Sequence, residues 1–519
     1  MNSLLEEIQK ELCLSPSETP NLDDISVILG LLTDRGKIPS PDSLNLKDLI
    51  GLLSIEVTPK LIPENLQDAL AQPQYLERVK KMLEERKNSN IQPAPCLRIY
   101  PFPLNREETD NLLGEDNNYG IIFGAESIFM QDTIHGIQND ALLADSDNLV
   151  NILGVHHDWL NESKLVTNRA LFVDDKGLVK DVLFEEPVNL EIIHFLHLGY
   201  KKEKEIHREL SEKFKTMNII QINPYGVSYE RSDDKYRTYE LLKSSGPIGL
   251  HLPETLFLPN KLKKEEIEKL LKGFVKIHKI CKGIVLPNTG TEGELVMEVD
   301  LRNQNLLLEC VNYIHDFVFK KDNGIFREIR GNTGLPVPGH LGSEYRRFTV
   351  RMHVSWNGED YVTESGYGQI AGNDTTHITS LNHGGKVISF SEAFSEIHYE
   401  SRDKQGNHQW IPYEVRQEDI EILKQSAEEV MRITNRNIAD QEKLKFAGLD
   451  FLIEIWKAKD NRAQSKLRFT PVFLEINPRP AGLVHSRTLE HWEENELCIT
   501  RQLFQGINSD ITKQITVGR

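Results

Sequence analysis

The stretch Phe473-Leu474-Glu475-Ile476-Asn477-Pro478-Arg479-Pro480 sets a carboxylate, a carboxamide and a guanidinium beside a short apolar run. Side chains alternate faces along a strand. Glu475 and Asn477 therefore share one face, and Leu474 and Ile476 turn to the core. Two oxygen donors two residues apart suit a hard cation such as Mg²⁺, which takes a few carboxylate oxygens together with the phosphate oxygens of a substrate. Upstream, Ala447 to Ile453 reads as a second apolar strand with one carboxylate, Asp450, at its centre. The polar stretch Lys457 to Lys466 suits a hairpin loop between the two. If they pair, Asp450 joins Glu475 and Asn477. Each acid alone reads equally well as a strand-edge carboxylate, but three such groups on one face of apolar strands need a reason, because burying unpaired carboxylates is costly.

A strand aspartate followed by Leu-Glu-x-Asn-Pro-Arg resembles the metal-binding end of the ATP-grasp superfamily. The totals are compatible with that. At 519 residues, 39% hydrophobic and 27% charged, the chain reads as a soluble globular protein with room for several domains. A net charge of −18 argues against general binding to nucleic acid or anionic membranes. No apolar run approaches the roughly 18–20 residues of a membrane span. The start Met1-Asn2-Ser3-Leu4-Leu5-Glu6-Glu7 lacks the basic and apolar parts of a signal peptide. Five scattered cysteines without a CxxC pair suggest reduced thiols in a cytoplasmic protein, with neither a disulfide framework nor a cysteine zinc site. The 17 histidines include no HExxH. His156 and His157 would face apart in a strand and read as structural.

Residues 1–90 show apolar residues at helical spacing (Leu4, Leu5, Ile8, Leu12) and read as a helical N-terminal region, followed by a proline-bearing linker from Ile91 to Asn105. From there to about 230, short apolar runs at Tyr119–Phe123, Leu149–Val155, Ala170–Val173 and Asn218–Ile222 alternate with helical patterns, of which Ile192–Phe214 is the longest. That alternation predicts an α/β domain with a parallel sheet. No GxGxxG or GxxxxGK[ST] motif is present. A helix capped by Ser or Asp begins at Ser232-Asp233-Asp234-Lys235, stops near Gly246, and precedes an apolar run, Gly249 to Leu258.

Lys282 to Leu286 reads as a strand entering the turn Pro287-Asn288-Thr289-Gly290-Thr291-Glu292-Gly293. Such a turn can bring backbone N–H groups against phosphate oxygens, although a plain hairpin fits as well. Glu344 to Val354 reads as one strand carrying Arg347, Thr349, Arg351 and His353 on a single face. Several cations together suggest an anion there, and the planar arginine fork suits a phosphoryl group or a carboxylate.

In order, these elements resemble an ATP-grasp core. They are the Asp234-Lys235 helix, a glycine-rich flap, a basic strand, the turn Asn382-His383-Gly384-Gly385, the Asp450 strand and the Glu475-Ile476-Asn477-Pro478-Arg479 strand. The resemblance implies an α/β (α+β) architecture. A pre-ATP-grasp domain would span about 91–230 and an ATP-grasp domain 231–519, with a flap subdomain near 250–325. It implies ATP as nucleotide, held by Lys235, Lys282, Asn288, Thr289, Gly290, Thr291 and Gly293, with Glu328 and Ile329 at the adenine-side hinge. It implies Mg²⁺, or Mn²⁺, on Asp450, Glu475 and Asn477, and Arg351, Arg347 and Arg479 steadying phosphoryl oxygens. The family usually has a lysine where this chain has Leu286, so either Lys282 or Lys276 reaches the site instead or the nucleotide is held differently. The activity implied is ligation of a small-molecule carboxylate, activated as an acyl phosphate, to an amine such as an amino acid or peptide. A phosphotransferase or a non-catalytic nucleotide-binding module is the alternative. Homodimers are common in the family. Substrate choice is expected in the loops Arg330–Leu341 and Pro480–His485.

Overall fold

The computed structural model describes residues 102–517, apart from 115, 124–133, 135–136, 139–140, 142–149, 174–178, 197–200, 218, 248, 291–294, 340–341, 381–382, 403–407, 458–466 and 480–499. The helical region expected over 1–90, most of the linker after it, Thr291, Gly293, Asn382 and the loop from Pro480 to His485 lie outside the described residues. The chain divides into two units, Met1–His135 with Asn151–Leu190, and Gly136–Val150 with Glu191–Arg519.

In the first unit the elements are β1 (Phe102–Leu104), α1 (Arg106–Leu113), β2 (Asn117–Phe123), β3 (Val150–His156), β4 (Leu160–Asn161), β5 (Val166–Val173) and β6 (Val179–Asn189). Helix α1 begins with a reciprocal cap. Asn105 Oδ1 accepts from Glu108 N at 3.0 Å and Glu108 Oε2 accepts from Asn105 N at 2.9 Å. The strands lie in the order β1-β6-β5-β3-β2. The expected parallel sheet is instead mixed. β3, β4 and β6 all pair antiparallel with β5, and β1 runs parallel to β6. The reason is connection length: Asp174 to Leu178 is far too short for the crossover, a dozen residues or more, that a parallel pair needs.

The second unit opens with β7 (Ile192–Phe195), α2 (Lys201–Phe214) and β8 (Ile220–Ile222), a parallel strand pair joined by a helix. The helical pattern expected over Ile192–Phe214 is thus a strand before a helix. All four residues of β7 are buried, which a continuous apolar run signals better than amphipathic spacing does. Next come α3 (Val227–Asp233), α4 (Lys235–Ser245), β9 (Thr255–Leu258), α5 (Lys264–His278), β10 (Lys282–Pro287), β11 (Met297–Asp300), α6 (Gln304–Tyr313) and β12 (Gly324–Glu328). Asp234 caps α4, accepting from Arg237 N at 2.7 Å, and Gly246 ends it at φ 59°. Strands β11-β10-β12-β9 form an antiparallel sheet whose apolar face packs with α5 and α6 into its own core, including Leu258, Ile267, Leu271, Val285 and Phe326.

The rest comprises β13 (Thr333–Gly339), β14 (Gly342–Arg346), β15 (Phe348–Trp356), β16 (Tyr361–Ile370), β17 (Lys386–Ser389), α7 (Phe390–Ser395), β18 (His398–Arg402), β19 (His408–Pro412), α8 (Gln417–Thr434), β20 (Phe446–Lys457), β21 (Leu467–Asn477) and α9 (Arg501–Val517). A second four-stranded sheet has the order β14-β13-β18-β19, and a five-stranded antiparallel sheet the order β17-β16-β15-β20-β21. A large core lies on one face of that five-stranded sheet, with Val350, Met352, Leu449 and Phe451 packed against Leu423, Ala427 and Val430 of α8. The strand expected over Glu344–Val354 is broken at Arg347, because β14 pairs with β13 while β15 pairs with β16 and β20. A second correction comes from a bulge. Asp450 stands opposite Glu475 but Phe451 opposite Phe473, so Leu474 is the extra residue. Phe473 and Ile476 fill the core, and Leu474 is only half-buried.

Candidate functional site

Register builds the site. Tyr367 on β16 faces Arg351 on β15, Arg351 faces Asp450 on β20, and Asp450 faces Glu475 on β21, so one row of polar side chains crosses four strands. Asn477 lies two residues further on, opposite Gly448. Arg351 grips Asp450 with a two-pronged bond, Nε to Oδ1 and Nη2 to Oδ2, both 2.7 Å. Asn477 Nδ2 donates to Asp450 Oδ2 at 3.2 Å, which leaves its carbonyl oxygen facing away from that bond. Arg351 also sits over the Tyr367 ring, 5.8 Å from its centre.

The two acids differ in charge environment. Burial raises Asp450 above the ordinary aspartate value, with Arg351 opposing it and the neighbouring Glu475 charge adding to it. Burial also pushes Glu475 up, but Lys235, then Arg327 and Arg351, outweigh it and hold Glu475 below the ordinary glutamate value. Lys235 Nζ stands 3.5 Å from Glu475 Oε2. Arg327, buried on β12, is the cation that sequence reasoning passed over. The available signal was a single guanidinium inside the apolar strand Gly324–Glu328, which only an opposing charge makes tolerable.

Lys235 joins this row to the turn after β10. Its Nζ donates to the Gly290 carbonyl at 2.7 Å. The turn in addition caps α4, since Asn288 O accepts from Lys235 N at 3.1 Å and Asn288 Oδ1 from Tyr236 N at 2.9 Å. Thr289 donates both its N–H and its hydroxyl to Asp322 Oδ2, each at 2.7 Å. Gly290 adopts φ 118°, a conformation suited to glycine.

The other expected residues are dispersed. Lys282 is exposed at the start of β10, about 17 Å of strand from the turn, and Lys276 is exposed on α5. Glu328 ends β12, where its carboxylate accepts from Glu254 N at 3.1 Å, and Ile329 N donates to the Lys282 carbonyl at 3.3 Å. Arg347 is committed to Glu400 Oε2 at 2.8 Å and stacks over Trp410 at 4.9 Å, away from the Asp450 row. Arg479 follows β21 and lies over Tyr229, 5.1 Å from the ring centre. Asn223 anchors this corner, donating to the carbonyls of Phe446 and Pro478, both at 2.7 Å.

The donor set fits a hard divalent cation. Two carboxylates and a carboxamide share one sheet face, and the chain's own Arg351 and Lys235 supply the positive charge around them. Among the described residues no helix is long and apolar enough to cross a membrane.

No family model and no curated protein matches the sequence. Among the solved structures to which this one is similar are several ligases. One is the D-alanine-D-alanine ligase from Coxiella burnetii, at 12% identity and a TM-score of 0.44, covering 78% of this chain and 97% of that one. Another is the VanG D-Ala:D-Ser ligase from Enterococcus faecalis, at 13% and 0.43, covering 76% and 99%. A third is the ATP-grasp ligase PsnB with a minimal precursor, at 12% and 0.36, covering 77% and 99%.

Proposed function

We propose that this chain is an ATP-dependent carboxylate–amine ligase that forms an amide and releases ADP and phosphate. One observation carries the reading: the Arg351–Asp450–Glu475 row with Asn477 beside it, tied through Lys235 to the glycine turn. Asp450, Glu475 and the Asn477 carbonyl would hold Mg²⁺, or Mn²⁺, which when bound neutralises charge on the nucleotide phosphates. Lys235 and Arg327 give this buried face more positive charge than Glu475 balances, as a polyphosphate requires. Exchanging its Gly290 and Glu475 partners for phosphate oxygens would bring Lys235 onto the nucleotide. Arg351, held flat by Asp450, presents its remaining N–H groups to a transferring phosphoryl group. Transfer to a carboxylate gives an acyl phosphate; attack by an amine then expels phosphate, and the glycine turn would keep water from competing.

The test is ADP release with Mg²⁺ and pools of amino acids and dipeptides, with mass spectrometry of the products. An amide that disappears in Glu475→Gln, with ATP binding kept, is the expected result. A phosphorylated product without an amide would make the chain a phosphotransferase. Absence of ATP binding in the wild type would remove the reading altogether.

A further inference from the structure

The sheet β11-β10-β12-β9 is built from one continuous stretch, Thr255 to Glu328, so two chain crossings join it to the rest: His251–Glu254 into β9 and Ile329–Asn332 out of β12. Strands β9 and β12 are antiparallel neighbours with Thr255 opposite Arg327. The crossings therefore leave side by side from one end of the sheet. The glycine turn leaves β10 at the other end, where Pro287 stands opposite Gly324. From Glu328 to Gly324 the lever is about 13 Å of strand, so a tilt of about 10° at the crossings would carry the turn about 2 Å.

One buried carboxylate holds both crossings. Glu454 on β20 accepts from Arg330 Nε at 2.9 Å, from Arg330 Nη2 at 2.6 Å and from Gly331 N at 3.1 Å. Its Oε2 also lies 3.2 Å from His251 Nδ1. The His251 backbone is bonded to β21, donating to the Pro471 carbonyl and accepting from Phe473 N, both at 3.0 Å. Gly331 has φ 89°, and a Cβ there would stand 3.3 Å from Leu452, so the second crossing turns close against β20 at a glycine. On the side of the sheet, the crossings are tied to each other. Glu328 N donates to the Glu254 carbonyl at 2.9 Å, and Glu328 Oε2 accepts from Glu254 N at 3.1 Å. Arg330 spans the two sides, since its Nη1 is 3.5 Å from Glu328 Oε1.

A buried ion pair adds little net stability over apolar residues of the same size, because desolvation offsets the attraction. What the Arg330 fork adds is direction: two parallel bonds fix the orientation of the strand that leaves it. We propose that Arg330 and Glu454 are positioning residues, the pivot that sets the angle of the β11-β10-β12-β9 sheet, and with it the glycine turn, over the Asp450 row. The ligase reading enters only in what the turn covers, the nucleotide phosphates. The pair acts through the two crossings and not on the reacting atoms.

The experiment compares the full wild-type chain with Glu454→Gln, which keeps the shape and removes the charge, and Arg330→Lys, which keeps the charge and removes the fork. Hydrogen exchange without nucleotide reads the pivot directly. In both variants the amides of Glu254, Ile329 and Gly331 should exchange about 10- to 100-fold faster, while those of Val285 and Phe326 keep their protection. With ATP and substrates, the KM for ATP should rise about tenfold, and less amide should form per ADP, because water reaches the acyl phosphate under a tilted turn. A pair that serves stability alone would lower kcat through the fraction folded and leave KM, amide yield and the three amides unchanged; that result overturns the proposal. If Glu454→Gln does not fold, Arg330→Lys, whose buried charge stays paired, carries the same comparison. A chain that makes no amide yet shows the exchange pattern loses the ligase reading and keeps the pivot. A chain that makes amide with wild-type KM and yield in both variants keeps the ligase and loses the pivot.

Discussion

The five-stranded sheet and the four-stranded β11-β10-β12-β9 sheet both face Lys235, but they position charge by different means. In the first, backbone register does the work. Arg351, Asp450 and Glu475 are opposed across adjacent strands, so the ladder itself sets their spacing. In the second, turn chemistry does it. The sheet has its own apolar core, and the polar atoms at its tip satisfy backbone groups of α4 and the Asp322 carboxylate. The two regions should therefore fail differently. Damage to the row removes stability and chemistry together. Damage to the tip should, on the proposed reading, lower nucleotide affinity and leave the sheet standing.

The largest effect should come from separating a buried pair. Asp450→Asn leaves the Arg351 guanidinium buried without its counter-charge, which costs about 3–5 kcal/mol when a buried ion pair loses one partner. Urea unfolding should register that loss, and ADP release should fall by a factor of about a hundred to a thousand. The double variant Arg351→Met with Asp450→Leu separates the two roles: most of the stability should return and none of the turnover. If turnover survives Asp450→Asn, the row is structural and the comparison between the sheets collapses.

This row was the part of the molecule most open to reading in advance. Strict alternation put Glu475 and Asn477 on one face, and a short polar loop made β20 and β21 neighbours. The bulge that displaces Leu474 was not readable, since nothing in Phe473-Leu474-Glu475 marks it; only pairing with β20 creates it. Arg347 and Arg351 looked equivalent for the same reason. Spacing along the chain cannot say that β14 and β15 belong to different sheets, and that choice sends Arg347 to Glu400. His156 and His157 stack rather than face apart because β3 stops between them and a 3-10 turn begins. Arg327, by contrast, was available, as the one guanidinium in the short strand Gly324–Glu328.

Acid should weaken the five-stranded sheet selectively. His194 and His353 flank the Phe446 ring at the start of β20, each 6.1 Å from it, and burial lowers both to about 3, with Arg351 also acting on His353. An unfolded histidine takes up a proton near pH 6.5, whereas these stay neutral in the fold. Stability contributed above 6.5 is therefore lost as pH falls toward 3, about 2 kcal/mol for each histidine between pH 7.5 and 5. His353→Phe should remove roughly half of that dependence in chemical-denaturation curves. An unchanged slope would mean that the ring is protonated while folded.

At the junction, Lys235→Met should raise the KM for ATP about 10- to 100-fold, the equivalent of about 1.4–2.7 kcal/mol, and should also lower the melting temperature, because Glu475 loses the first of the cations that hold it low. The smallest effect tests the tip alone. Asn288 is buried, and its side chain and carbonyl serve two N–H groups in the first turn of α4. Asn288→Ala keeps the carbonyl contact and loses the side-chain one, so the cost should be that of one lost cap, about 1 kcal/mol. Hydrogen exchange should locate the loss in the first turn of α4 and in Lys235, whose ammonium would be less firmly aimed at Gly290. The β10–β12 amides should keep their protection, because Val285 and Phe326 hold that sheet through its own core. If protection instead falls across β10 and β12 together, the tip is part of the sheet's stability after all, and turn chemistry and register are not separable here.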